Sequence, residues 1–172
     1  ISAAVSFLFE RAPTWTEAHI LPSYDWSSPD ALAMWSARKY SSYIGSARLF
    51  ALTKRPFLEL FSRQEVPLED IRAFSEWLAV LLLAKQAGST EYPLTPIEVR
   101  SVLRTSGSEA LWSFAHRLAF EMEAAKPDKE KATWQNIVGP VFKGAWPLDA
   151  ELQTSQANLQ ARSAIVGDRS SL

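Results

Sequence analysis

Cysteine is absent from this chain, histidine occurs only at His19 and His116, and the six glycines are scattered. The first absence excludes disulfides, thiolate zinc or iron–sulfur centres and any cysteine nucleophile, and it leaves the redox compartment open. Without clustered glycines there is neither a Walker loop nor a dinucleotide fingerprint, and no serine stands in a G-x-S-x-G elbow. A histidine ligand on a helix needs a partner three or four residues away. Around His116 those positions hold Trp112, Ser113, Ala119 and Phe120, none of which can supply one, and His19 lies between Ala18 and Ile20. Glu121 and Glu123, two apart on a helix, point to different faces, while Glu69 and Asp70 suit a first helical turn, where the dipole favours negative charge. No catalytic residue, metal or cofactor is therefore expected.

Long apolar runs are missing as well. The longest, Trp77 to Ala84, has eight residues, against about 20 for a membrane helix. The opening stretch Ile1 to Phe9 has no basic flank and no small-residue cleavage site, so it does not read as a secretion signal. No membrane partner is expected, and a cytoplasmic location is the default. The start inside an apolar run, without an initiating Met, leads us to expect a segment of a larger polypeptide. Sustained two-residue alternation and Asn-Gly or Asp-Gly turns are lacking too, so no β-sheet is expected.

What the sequence does hold is ordinary globular composition, 47% hydrophobic and 22% charged over 172 residues, with seven Trp and nine Phe as large core anchors. Helix starts are frequent. Ser28, Pro29 and Asp30 open a segment through Trp35 toward Arg38 or Tyr43, and Pro56 reads as the start of a short helix. Pro67, Leu68, Glu69 and Asp70 begin the longest one, ending near Gly88, with Phe74, Leu78, Leu81 and Leu82 at helical spacing. Thr95, Pro96 and Glu98 form a capping-box pattern. Ser106 to Ser108 punctuate the chain before the stripe Leu111, Phe114, Ala115, Leu118 and Met122. A further stripe, from Trp134 through Val141 to Ala145, crosses Pro140, which should kink or split it. Trp146 and Pro147 mark a stop. Residues 12–27 read as loop-rich, either a long loop or one short helix packed onto the bundle, and 155–172 as weakly ordered. The fold class is all-α: an irregular bundle or short array of six to eight helices, in one domain spanning 1–172. Trp77, Trp112 and Trp146 lie 35 and 34 residues apart, a helix-pair period that other positions do not repeat.

Charge is polarised along the chain. Arg38, Lys39, Arg48, Lys54 and Arg55 fall in an 18-residue window without an acid, interleaved with Tyr40, Tyr43 and Phe50. Extended to Arg63, the window nets +5, whereas the rest of the chain carries 12 basic and 18 acidic residues and nets −6. Such a segment could neutralise phosphates while its aromatic rings stack on unpaired bases. Equally, it could be a solvated face paired with acids elsewhere in the protein. Trp146 reads as the seal of a helix end or as an exposed interaction anchor.

The combination of Thr95-Pro96-Ile97-Glu98-Val99-Arg100, Leu111-Trp112, Trp134 and Trp146-Pro147-Leu148-Asp149 resembles irregular HEAT-like helical regions of large bacterial proteins, some of them anti-phage defence proteins. The resemblance covers Thr95 to Asp149. It implies a helical scaffold and brings no catalytic site. The expected function is a non-catalytic scaffold or protein-interaction domain whose partner is another protein or another domain of the same chain. The alternative is a nucleic-acid-binding module using the 38–55 segment.

Overall fold

Helices begin here where a side-chain acceptor or a proline precedes an apolar stripe, and the structure, a computed structural model, describes residues 4–41 and 44–148. Among the described residues there are helices and turns but no strand, so the fold is all-α. No helix among them is long and apolar enough to cross a membrane. The chain divides into two compact units, Ile1–Asp70 and Ile71–Leu172, the division falling in the first turn of the longest helix.

The first unit contains α1 (Val5–Arg11), α2 (Pro13–His19), α3 (Ala31–Arg38) and α4 (Ala47–Glu59), with single tight turns at Leu21–Tyr24 and Leu60–Ser62. Residues 12–27, expected to be loop-rich, hold α2 and the first of those turns, because Pro13 at the first helical position forfeits no intrahelical bond. The signal at Ser28 to Asp30 does precede α3, although the Ser28 hydroxyl caps the turn by accepting from the Asp30 amide at 3.2 Å while the Asp30 carboxylate caps nothing. Pro56 does not open a helix. The start lies nine residues earlier in the chain, where Ser46 Oγ accepts from the Leu49 amide at 3.2 Å, and Pro56 sits inside α4. A proline there removes one backbone bond. Its ring is buried, however, and its carbonyl accepts the Trp26 indole N–H at 2.8 Å. Around it runs a chain of ring contacts: Tyr24 edge-on to Trp35 at 4.9 Å, Trp35 to Phe57 at 5.7 Å, and Phe57 edge-on to Phe50 and Phe61. The Trp35 indole satisfies its own N–H on the Tyr24 carbonyl at 3.0 Å.

The long helix α5 (Leu68–Gln86) leads into the second unit, where α6 (Pro96–Thr105), α7 (Gly107–Glu123), α8 (Glu130–Thr133) and α9 (Gly139–Ala145) follow. The end of α5 is closed by reciprocal bonds from the Ser89 amide to the Ala84 carbonyl and from the Gly88 amide to the Lys85 carbonyl, both 3.0 Å, the pattern of a Schellman stop. Thr95 and Glu98 form the expected capping box, with Thr95 N–H donating to Glu98 at 2.9 Å and Glu98 N–H to the Thr95 hydroxyl at 3.3 Å. The apolar stripes read from spacing are buried: Phe74, Leu78, Leu81 and Leu82 on α5, and Leu111, Phe114, Ala115 and Leu118 on α7. Trp77 is half-buried, Trp112 exposed and Trp146 buried, so the three tryptophans do not occupy equivalent positions. Tyr43 and the segment 155–172 lie outside the described residues.

The stripe crossing Pro140 is split, as its missing amide requires. Between α8 and α9, residues Trp134–Val138 form a π-helical turn in which the Gly139 amide donates to the Trp134 carbonyl, five residues back. Gly139 is the residue that permits this, since a Cβ there would stand 2.6 Å from the Trp134 carbonyl oxygen. Beyond it, α9 packs on α6 closely enough that a Cβ on Gly144 would meet Pro96 at 2.8 Å. Arg100 then closes the end of α9, donating to the carbonyls of Lys143 and Gly144 at 3.0 and 2.7 Å. Alanine favours helix over glycine by about 1 kcal/mol, yet Gly139→Ala and Gly144→Ala should each destabilise the protein by about 1–3 kcal/mol through overpacking. Urea denaturation checks this, and a gain in stability from either substitution contradicts the close approaches.

Candidate functional site

The basic segment spans the end of α3, the following loop and α4, and its five cations meet different fates. Arg38 is 4% exposed, and its guanidinium donates to the Ser6 hydroxyl at 2.9 Å and the Ile44 carbonyl at 2.6 Å. Burial pushes its pKa down from the ordinary arginine value. Lys39 donates to Asp70, which also accepts from the Ser36 hydroxyl. Asp70 has no exposed surface, and Glu69 lies 3.7 Å from the same ammonium. Ser36 of α3 and Lys39 just past the end of that helix thus converge on a carboxylate that the first turn of α5 supplies. On α4, Arg48 pairs with Glu17 at 2.6 Å and lies over the Phe9 ring, while Arg55 pairs with Glu59 one turn on at 3.0 Å. Lys54 is half-buried. The five residues therefore do not form one open cationic face: Arg38 and Lys39 each donate to protein acceptors, and Arg48 and Arg55 stand beside carboxylates.

Trp146 is not an exposed anchor. At 2% exposure it belongs to the core of the second unit. The backbone turns extended at this residue (φ −70°, ψ 128°), which ends α9 and leaves the indole stacked on Phe142 at 5.1 Å.

Both histidines share an environment that the sequence did not lead us to expect. His19 stacks on Trp15 at 5.1 Å and His116 on Trp112 at 4.8 Å, each four residues after its tryptophan. The Trp15 carbonyl can only accept, so His19 Nδ1 donates to it at 2.9 Å. His116 is exposed, with Trp112 at 41% and Phe120 at 51% exposure on either side of it along α7. These three rings, spaced four residues apart, stand opposite the buried stripe of Leu111, Phe114 and Leu118. The spacing is present in the sequence, where it suits a buried stripe equally well. Among the described residues no three His, Asp or Glu side chains gather as a metal site.

The second unit also has a partly open groove of about 210 Å³ between α5, α7 and the π turn. Val80, Leu83 and Ala84 line it from α5, Ile137 from the π turn, and Arg117 and Glu121 from α7. Comparison with protein-family models, curated proteins and solved structures finds no match to this chain.

The Asp70 cluster gives two measurable consequences. Its hydrogen bond to Lys39, reinforced by the opposite charge, holds the Lys39 pKa above the ordinary 10.5. A raised lysine pKa means the pair's stabilisation is fully present below 10.5 and is lost as pH rises through the higher folded-state value. The stability difference between the wild type and Lys39→Gln, from urea unfolding, should therefore be constant at neutral pH and shrink above 10.5. Asp70→Ala leaves the ammonium and a hydroxyl without their acceptor and should cost about 3 kcal/mol. A loss below about 1 kcal/mol would place the pair among weak surface bridges.

Proposed function

We propose that this chain is a non-catalytic helical scaffold that holds a protein partner on the outer face of α7. The observation carrying this reading is the exposed row Trp112, His116 and Phe120. Three aromatic residues at successive turns span about 12 Å along a helix, and the core of the unit does not use them. Large exposed aromatics at such spacing are the usual anchors of helix-to-helix recognition, with tryptophan the most frequent energetic centre. Beside the row, Arg72 pairs with Glu109 at 2.8 Å, and Arg117 and Glu121, one turn apart, offset each other's charge across 3.5 Å. A neutral, apolar face of a partner helix is therefore the best complement. The resemblance to HEAT-like regions of large bacterial proteins supports the same reading, in which a neighbouring domain or a separate protein supplies the activity. The proposed setting is the cytoplasm, the default stated for the sequence.

A nucleic-acid-binding module built on Arg38, Lys39, Arg48, Lys54 and Arg55 is the alternative. The internal partners described for Arg38, Lys39, Arg48 and Arg55 count against it, because phosphates would have to displace them.

A photo-crosslinking amino acid at position 120 of the full chain, expressed in its own cells, should capture one discrete protein, and the same label at exposed Leu52 on α4 should not. Trp112→Ala should weaken that capture by about thirtyfold or more, the effect of losing a hot-spot residue, while changing folding stability by only about 0.5 kcal/mol. Capture that survives Trp112→Ala contradicts the proposed face. Micromolar RNA or DNA binding that falls steeply with salt, and that charge-neutral substitution of the five basic residues abolishes, replaces this reading with the alternative.

A further inference from the structure

We infer that the groove between α5, α7 and the π turn binds a free aliphatic α-amino acid, a zwitterion of leucine-like size. This inference does not rest on the face proposed for the protein partner, which it touches only where Arg117 lies over the Phe120 ring. Its floor is apolar: Val80, Leu83 and Ala84 lie on one stripe of α5, and Ile137 faces them from the π turn. The wall from α7 is charged with both signs. Arg117 and Glu121 sit one turn apart and meet through a single long contact of 3.5 Å.

Arg117 is underused for a guanidinium, which carries five donors. Its Nε is buried without a hydrogen-bond partner and faces away from any arriving ligand, and its cation lies over the Phe120 ring at 5.0 Å. A carboxylate arriving in the groove could accept a charge-assisted hydrogen bond from the terminal nitrogens of the guanidinium, stronger than a bond between neutral groups. Glu121 decides the rest of the ligand. A simple fatty anion would be repelled by it, whereas an ammonium on the carbon next to the carboxylate would be held. Arg117 and Glu121 together match the two charges of an α-amino acid, and the aliphatic floor matches its side chain.

Size agrees. An engineered apolar cavity of about 150 Å³ accepts benzene, with its six heavy atoms, so about 210 Å³ accommodates the nine heavy atoms of leucine. The groove is smaller than the roughly 300–1,000 Å³ typical of drug-sized ligands. The π turn strengthens the assignment, since such turns are rare and concentrate at functional sites. Here it presents Ile137 to the groove while its neighbour Val138 is fully buried.

The test is titration of the whole chain with L-leucine, N-acetylleucine and leucinamide, followed through the methyl resonances of Val80, Leu83 and Ile137. Leucine should shift these resonances saturably, with N-acetylleucine, lacking the ammonium, and leucinamide, lacking the carboxylate, each weaker by about tenfold or more, the effect of losing one charge-assisted hydrogen bond. Arg117→Gln should remove the preference for leucine over leucinamide, and Glu121→Gln the preference over N-acetylleucine. Ala84→Phe, which fills the groove, should abolish binding and serves as the check if either charge variant fails to fold. No shift with leucine, equal response to all three compounds, or leucine binding retained in Ala84→Phe overturns the inference. Equal response would instead mark a greasy slot open to a partner's side chain.

Discussion

A carboxylate with no exposed surface, Asp70, sets the terms for the first unit. It accepts from Ser36 of α3 and from Lys39 just past the end of that helix while standing in the first turn of α5, where the helix dipole already favours its negative charge. Removing an ion from water is expensive unless its hydrogen-bonding capacity is filled, and here a hydroxyl and an ammonium fill it. The arrangement has a functional corollary. A Ser-x-x-Lys pair that converges on a buried acid ties helices together: the serine hydroxyl and the ammonium both donate to Asp70.

Arg38 extends the same logic. Its guanidinium ties α1, through Ser6, to the loop carbonyl of Ile44, so a cation that looks like a ligand contact in the sequence is a buried strut. The polarisation of charge along the chain is therefore not polarisation in space. Glu17 reaches Arg48 from 31 residues away, as Asp70 reaches Lys39 across the same separation. Charge runs in a sequence carry no information about which distant acid will neutralise them.

Local chemistry was legible and long-range chemistry was not. The Thr95–Glu98 box, both ends of α5 and the buried stripe of α7 depend on residues within a few positions of one another, and all could be read directly. Pro56 was misread because its tolerance inside α4 rests on a buried ring and on the distant Trp26 indole. The break at Pro140 was foreseen, but not its form, because a π turn depends on Gly139 lying against the Trp134 carbonyl and proline patterns alone do not encode that contact. The burial of Trp146 follows from the extended backbone at its own position, which the neighbouring Pro147 suggests without fixing where the indole goes. The exposed row on α7 is visible in the spacing of Trp112, His116 and Phe120, but the same spacing also suits a buried stripe, and only the fold shows which face points outward.

The π turn has a consequence for how this protein could change. A π turn is an α-helix carrying one surplus residue, and the helices on either side keep their own packing faces. Deleting a single residue between Trp134 and Val138 would join α8 to α9 as one helix, and Pro140, which has no amide to donate, would then stand in its interior. The surplus residue thus serves the backbone as well as the presentation of Ile137, so a shortened descendant of this chain would give up part of its framework together with the groove.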